Sequence, residues 1–285
     1  YSGEGHDGGA TFSMGNQFTV SGGGELDNGM TVSISYQLDN NAATGAGPFD
    51  DHSVTVSSDA MGSLTLHGHG GGSATSNMDV TAAGNVWDIF DGIGLATGVT
   101  HTNSAPGNNS LNYTMPTIMD GVAVALSYKP QQSNSSTIDS RTGYAVTYTG
   151  VEGLTLVYSS SDIVGTTGAL SGDQTAWKVS YAYGPVTATA TQSEYDVTTT
   201  TSDQDVSSMA VSYTISDEMS VTYGTETIES TNTGHVDAEY DVIKGSYTSG
   251  GMTVTAQRKT AENIDHSTNS NADLEYWGLG LAFAF

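Results

Sequence analysis

Large apolar side chains alternate with small or polar ones along almost the whole chain, and its final residues show the pattern most clearly. From Trp277 to Phe285 every second residue is large and apolar, and Gly or Ala lies between. Successive side chains of a β-strand point to opposite faces, so this period of two predicts a strand with one apolar face. The strand could belong to a soluble sandwich, or it could close a barrel whose apolar face meets lipid.

The composition favours strands and hydrated surfaces over a thick apolar core. Of 285 residues, 36 are Gly and 15 are Tyr, none is Cys, and Ser, Thr and Val are far more frequent than Ile or Phe. No apolar stretch approaches the roughly 20 residues that a membrane-spanning helix needs. A barrel strand crosses a membrane in about ten residues and shows alternation instead of an apolar block.

The connections between alternating segments differ in length in a regular way. Short turns rich in Gly, Asn, Asp and Pro are predicted at residues 27–29, 59–62, 119–121, 150–153, 184–185, 216–218 and 249–251. Longer polar loops are predicted at residues 40–50, 131–140, 162–172, 197–204, 230–234 and 263–271. A sandwich or propeller gives no reason for this alternation, whereas an outer-membrane barrel has short periplasmic turns and long external loops.

These patterns predict an all-β fold, a transmembrane antiparallel up-and-down β-barrel that forms a single domain over residues 1–285. About fifteen strands can be counted, but bacterial single-chain barrels normally have an even number. With Phe285 on the periplasmic side, residues 1–9 would lie in an external loop. We therefore expect sixteen strands, with the first strand lying upstream of residue 1.

One long insertion, residues 70–107, interrupts the strand pattern. Its middle, residues 84–94, has the pattern of a short helix and carries Trp87, Ile89, Phe90 and Ile93. Such apolar side chains need a surface to pack against. Loops of this length inside a compact fold are usually functional.

The segment after the insertion resembles the Gram-negative general porin family, whose members are trimeric sixteen-stranded barrels. It reads Asn-Ser-Leu-Asn-Tyr-Thr-Met-Pro over residues 109–116 and is followed by a Gly turn and an alternating strand over residues 121–128. The resemblance implies a third external loop folded into the lumen, where it narrows a channel for small hydrophilic solutes and ions. It places the carboxylates of the constriction at Asp88 and Asp91, with Asp79 as a third. It further implies a homotrimer among the lipid and lipopolysaccharide of the outer membrane of a Gram-negative bacterium.

The basic residues depart from the family pattern, which commonly faces the loop acids with Arg or Lys on the early strands. Here no Lys or Arg precedes Lys129. Parity with the apolar positions places most basic side chains on the lumen wall, and only Arg258 takes the outward parity. By the same parity His67 and His69 would both face inward, because Leu64 and Leu66 take the outward positions. The predicted lumen wall comprises His67, His69, Lys129, Arg141, Lys178, Lys244 and Lys259.

The formal charge of -25 bears on the partners. Nucleic acid is excluded as a partner, because phosphate binding needs a basic surface. Negative potential focused in a pore favours cations over anions. The sequence therefore predicts a cation-preferring channel.

Several Asp and His residues could bind metal ions, or they could have no ligand. His67 and His69 could chelate a transition metal if they share a face, or they could simply line the lumen. Calcium could bind at the external loops near Asp50, Asp51, Asp203 and Asp205, or these acids could simply be hydrated. No cofactor is required by this fold.

Two other classes of function are an enzyme and a secreted surface protein. No nucleophile motif in a strand-to-helix setting occurs, so the sequence does not indicate an enzyme. The alternative is a secreted acidic Gly/Asp-rich adhesin or surface-layer β-solenoid. A solenoid would need a fixed internal repeat and calcium-binding nonapeptides, and neither is present.

Overall fold

The computed structural model describes residues 2–4, 17–38, 49–90, 108–130, 138–165, 171–198, 203–231, 234–268 and 272–283. They form one sheet of sixteen strands and three short 3-10 helices. The strands are β1 (Ser2–Glu4), β2 (Phe18–Glu25), β3 (Thr31–Leu38), β4 (Phe49–Ser58), β5 (Gly62–His69), β6 (Ser110–Thr114), β7 (Val122–Lys129), β8 (Ile138–Tyr148), β9 (Leu154–Gly165), β10 (Gly172–Tyr183), β11 (Val186–Val197), β12 (Gln204–Ser216), β13 (Met219–Ser230), β14 (Ala238–Ser249), β15 (Met252–Glu262) and β16 (Leu274–Phe283). The helices are η1 (Ser76–Asp79), η2 (Val86–Phe90) and η3 (Ile264–His266).

From β2 to β16 every strand pairs antiparallel with its neighbours in chain order, which confirms the predicted up-and-down topology. The order runs from β2 through β16 to β1, so the two ends of the sheet are strands that follow one another in the chain. A sheet that closes on itself requires such neighbouring ends. Among the described residues, no helix is long and apolar enough to cross a membrane.

The first strand corrects one expectation. Ser2–Glu4 pair with β16, where Gly3 lies opposite Trp277. These three residues therefore belong to the sheet and not to an external loop. The next strand, β2, begins at Phe18.

The short turns lie where the sequence predicts them. Gly29 and Gly121 both have a φ of +76°, the left-handed conformation that Gly adopts without steric cost. At Gly121 a side chain would also collide with the next turn, because a Cβ there would lie 2.5 Å from the Cα of Gly150. The turns at one end of the barrel are thus tight and in contact with one another.

The two faces of the sheet have opposite character. On the outward face, Trp277, Leu279, Leu281 and Phe283 are 49–60% exposed. The inner face carries Ser and Thr, whose hydroxyls bond across neighbouring strands in the pairs Thr55–Thr65, Ser180–Thr189 and Ser212–Thr222, at 2.7–2.9 Å. An apolar exterior and a polar interior are the arrangement of an outer-membrane barrel.

The one outward basic residue is compensated locally. Arg258 lies opposite Trp277 in the β15–β16 pair, and its Nη2 bonds Oε2 of Glu275 at 2.5 Å. Its guanidinium also lies over the Trp277 ring, 5.7 Å from the centroid. Such a cation–π contact and ion pair offset part of the cost of a charge on this face.

Because the outward face is apolar and the inner face is polar, a charged side chain should destabilise the fold more on the outward face than on the inner one. Val211, near the middle of β12, is 47% exposed on the outward side, and we expect Val211→Arg to lower the free energy of unfolding by about 2–4 kcal/mol. The matched control is Ser212→Arg, which points inward and loses one hydroxyl bond to Thr222, for about 0.5–1.5 kcal/mol. Equilibrium unfolding from lipid vesicles measures both variants, and equal losses would contradict the assigned faces.

Candidate functional site

The inserted segment leaves and rejoins the sheet between β5 and β6. Its two ends are tied together: the Gly70 N–H donates to Oδ1 of Asn108 at 2.9 Å, and the Asn109 N–H donates to the Gly68 carbonyl at 3.2 Å. The Asn112 side chain also donates to the carbonyl of Gly72. The root of the loop is thereby fixed to the strand ends.

From this root the segment crosses the inner face of the later strands. The methyl group of Thr75 lies over Gly143 of β8, where an added Cβ would come within 2.8 Å of it. Farther on, the Ala82 N–H donates to Oγ1 of Thr191 on β11 at 3.0 Å, and the Ala83 N–H donates to Oγ of Ser208 on β12 at 2.9 Å. Hydroxyls of the wall therefore satisfy the backbone donors of the loop.

At β13 the loop meets a buried carboxylate, Glu226, which is 1% exposed. One carboxylate oxygen accepts the Thr81 hydroxyl at 2.5 Å and the Val86 N–H at 3.3 Å, and the other accepts the Trp87 N–H at 3.2 Å. The carboxyl group therefore accepts three hydrogen bonds from the loop. Glu226 also caps the start of η2, because two of its donors belong to the first residues of that helix.

Apolar packing completes the attachment. Phe90 stacks obliquely near Tyr240, with ring centroids 6.1 Å apart. The cluster joins η2 to the inner face of β12–β16 and consists of Val86, Trp87, Phe90, Val206, Ile228, Ala238, Tyr240, Val242, Ala261, Ile264, Ala272 and Tyr276. The sequence correctly predicts a short helix here and a surface for Trp87 and Phe90. Ile89 packs at the edge of this cluster, and Ile93 lies outside the described residues.

The three predicted constriction acids have different surroundings. Asp88 is exposed on η2, and its charge interacts with Lys259 of β15. Asp79 is half-buried at the end of η1, and its carbonyl accepts the Asn85 side chain at 2.7 Å. Asp91 lies outside the described residues.

The lysines of the inner face lie on the side where the loop packs. Lys259 interacts with Glu226 and Asp88, and also with Lys244 on the neighbouring strand. Lys178 borders a cavity of about 400 Å³ between η1 and strands β7–β10. Lys129 and Arg141 lie opposite each other in the β7–β8 pair.

The wall of β2–β4 carries hydroxyls instead of charges where it borders the lumen. Ser21, Ser33, Ser35, Ser53 and Thr55 line a depression of about 460 Å³ together with Gly22, Gly23 and Ile34. No Lys or Arg occurs in the sequence before Lys129. The positive charges of the lumen are therefore concentrated on one side.

Parity predicts a common inward face for the two histidines of β5, and the pairing of β5 with β4 shifts between them. His67 pairs with Ser53, but His69 pairs with His52, so Gly68 is an extra residue in a bulge. His52 stacks on the outward-facing Tyr36, with ring planes 7° apart. A bulge interrupts the side-chain alternation at this point, and the His69 imidazole lies beside Asp50 and Asp51.

The acids considered for calcium are separated in the structure. Asp50 and Asp51 lie beside His69. Asp205 lies on β12 opposite Glu194 and Glu229, among other carboxylates. Within the described residues, three metal-donor side chains come together only at Asp50, Asp51 and His69.

Glu226 is the residue of this site that sequence reasoning missed. The sequence does contain a signal for it. Alternation along β13 turns Glu226 inward, and a carboxylate in the middle of a strand, two residues after Gly224, is unusual. Gly224 itself permits the close approach of the loop: a Cβ there would lie 2.8 Å from the Cβ of Ala83. Which loop atoms would meet that carboxylate cannot be read from periodicity.

Comparisons with known proteins agree with this geometry. The family model described as Gram-negative porin matches residues 1–241. Among solved structures, the fold is similar to an anion-selective porin from Comamonas acidovorans, at 12% identity, a TM-score of 0.72, and coverage of 97% of this chain and 91% of that one. It is also similar to OmpF of Salmonella typhi in complex with daunomycin, at 14% identity, a TM-score of 0.70, and coverage of 100% and 95%. A search among curated proteins gave no match.

We expect Glu226→Ala to release the loop. The substitution leaves the Thr81 hydroxyl and two buried backbone N–H groups without their acceptor, at a cost of about 1–3 kcal/mol for each donor that water cannot reach. Limited proteolysis should then cut within residues 70–107 faster than in the wild type. Glu229→Ala, an exposed acid on the same strand, serves as the control, and equal cleavage rates in the two variants would contradict the anchoring role.

Proposed function

The chain belongs to the Gram-negative porin family, and we propose that residues 73–90 narrow its outer-membrane channel and that the pore prefers cations. The proposed cargo is small hydrophilic solutes and ions that diffuse passively. No enzymatic step is part of this proposal.

The constriction is supported by the contacts of the loop. Hydrogen bonds fix its backbone to β11, β12 and β13, and the apolar cluster extends these contacts to β16. A segment so attached occupies space that the barrel would otherwise leave to water. Asp88 is exposed on this segment, and Asp79 is half-exposed. We propose that these two acids and Asp91 border the narrow passage.

The distribution of charge is the observation that carries the cation preference. Lys259 interacts electrostatically with Glu226 and Asp88, and these two carboxylates offset its charge. The wall of β2–β4 offers hydroxyls and no cationic side chain at the depression lined by Ser33 and Thr55. At the loop an anion would therefore meet Asp88 beside a Lys259 whose charge is offset, while the net charge of -25 attracts cations to the pore.

We also propose a homotrimer in contact with outer-membrane lipid and lipopolysaccharide. The family assignment supports this proposal, and so does the outward face of β2, which belongs to a strand exposed at all eight positions. On it Gly22 and Gly24 leave room for close packing, because a Cβ at either position would meet no atom within 4 Å. Light scattering of the detergent-solubilised protein gives the mass of the assembly, and the mass of one chain would contradict the trimer.

The selectivity is tested by reversal potentials of single channels in a salt gradient. We expect a cation preference in the wild type and a two- to threefold lower cation-to-anion permeability ratio in Asp88→Asn. The size follows from a unit charge seen at about 14 Å through water, which favours a cation and disfavours an anion by about 0.3 kcal/mol each.

The matched control is Asp241→Asn, an acid on the outward side of β14 that accepts the Tyr223 hydroxyl at 3.0 Å. It should leave the permeability ratio unchanged, because it does not border the lumen. Anion preference in the wild type would overturn the proposed selectivity. An unchanged ratio in the double variant Asp88→Asn/Asp91→Asn would show that this segment does not form the constriction.

A further inference from the structure

Three metal-donor side chains meet at the ends of β4 and β5 that lie away from their short turn. Nδ1 of His69 is 3.8 Å from Oδ1 of Asp50 and 3.7 Å from Oδ1 of Asp51. One donor atom from each of the three residues lies within 4.8 Å of the others. All three side chains keep 36–46% of their surface exposed, so an ion could reach them from solvent.

Two backbone irregularities bring these residues together. In the β3–β4 pair, Tyr36 lies opposite His52, and Leu38 lies opposite Phe49. Two residues of β4, Asp50 and Asp51, therefore oppose the single residue Gln37 of β3. In the β4–β5 pair, the bulge at Gly68 sets His69 opposite His52, beside the two aspartates. Bulges re-aim side chains, and here two bulges on adjacent strands aim an imidazole and two carboxylates at one point.

Gly70 makes room for this arrangement. It adopts a φ of +65°, and an added Cβ would lie 1.3 Å from Oδ1 of Asp51. Any other residue at position 70 would displace that carboxylate. The close approach of Asp51 to the backbone after His69 therefore depends on this glycine.

We propose that Asp50, Asp51 and His69 bind a divalent transition-metal ion of the Zn²⁺ type, with water completing the coordination. Tetrahedral Zn²⁺ with bonds of about 2.0–2.1 Å separates its ligand atoms by about 3.3 Å. The observed 3.7–3.8 Å separations need only small side-chain rotations to reach that value. An imidazole nitrogen suits Zn²⁺ and its neighbours in the first transition series, whereas Ca²⁺ takes six to eight oxygen ligands.

The site lies at the root of the inserted loop. His69 directly precedes Gly70, whose N–H donates to Asn108 where the loop returns to the sheet. A bound ion would cross-link the end of β4 to this root and would neutralise two adjacent carboxylates. The site is independent of the proposed selectivity, because its ligands do not include a residue of the constriction.

The first test is a titration of the full chain in detergent, freed of metal by a chelator, with ZnCl₂ in a calorimeter. We expect one ion bound per chain and at least a tenfold weaker binding in His69→Gln and in Asp51→Asn. The controls are His235→Gln and Asp173→Asn, two exposed residues of the same types outside this cluster, which should bind as the wild type does.

X-ray absorption on the zinc-loaded wild type tests the ligand set without any variant. The expected first shell holds one imidazole nitrogen together with oxygens. Lack of saturable Zn²⁺ binding, a shell of oxygens alone, or equal binding in His69→Gln would each overturn the proposal. Calcium binding that survives His69→Gln while zinc fails to bind would assign the acids to an oxygen-only site and would overturn it as well.

Discussion

The hydrocarbon of a membrane offers no partner for a backbone N–H or C=O group, and this constraint governs the whole structure. A sheet in which every strand pairs with its neighbours, and whose two ends follow one another in the chain, satisfies it without a helix. Alternation is then required, since each strand must turn one row of side chains to lipid and the other to water. Exposed Leu281 and Phe283 on one face, and hydroxyl pairs such as Thr55–Thr65 on the other, are two results of the same constraint.

Because the interior is wet, a segment that enters it needs its own means of attachment. Residues 73–90 are attached in two ways, by polar bonds at β11–β13 and by the apolar cluster around Phe90 and Tyr240. Neither would suffice alone: a Ser or Thr hydroxyl competes with water for the loop backbone, and apolar contact does not fix a register. Buried Glu226 combines the two, since it binds the first turn of η2 within reach of the cluster.

Periodicity predicts much of this architecture, because strand alternation and Gly turns are local properties of the sequence. It correctly gives the antiparallel up-and-down order, the short turns and the need of Trp87 and Phe90 for a packing surface. It does not reveal the bulge at Gly68, because a single extra residue in a strand is not visible in a period of two. It also misses Ser2–Glu4, since three residues are too few to show a period, and Glu226, whose partners lie about 140 positions away in the chain.

The wall holds the loop mainly by its main chain. The donors at Ala82, Ala83, Val86 and Trp87 are all backbone N–H groups, and Gly224 accommodates nothing larger than the methyl group of Ala83. Recognition of this kind does not depend on the identity of the side chains that point away from the wall, such as Asp88. Side chains of the loop that face the lumen can therefore be substituted one by one while the loop stays attached to the wall. The barrel is in this sense a scaffold for pores of altered charge.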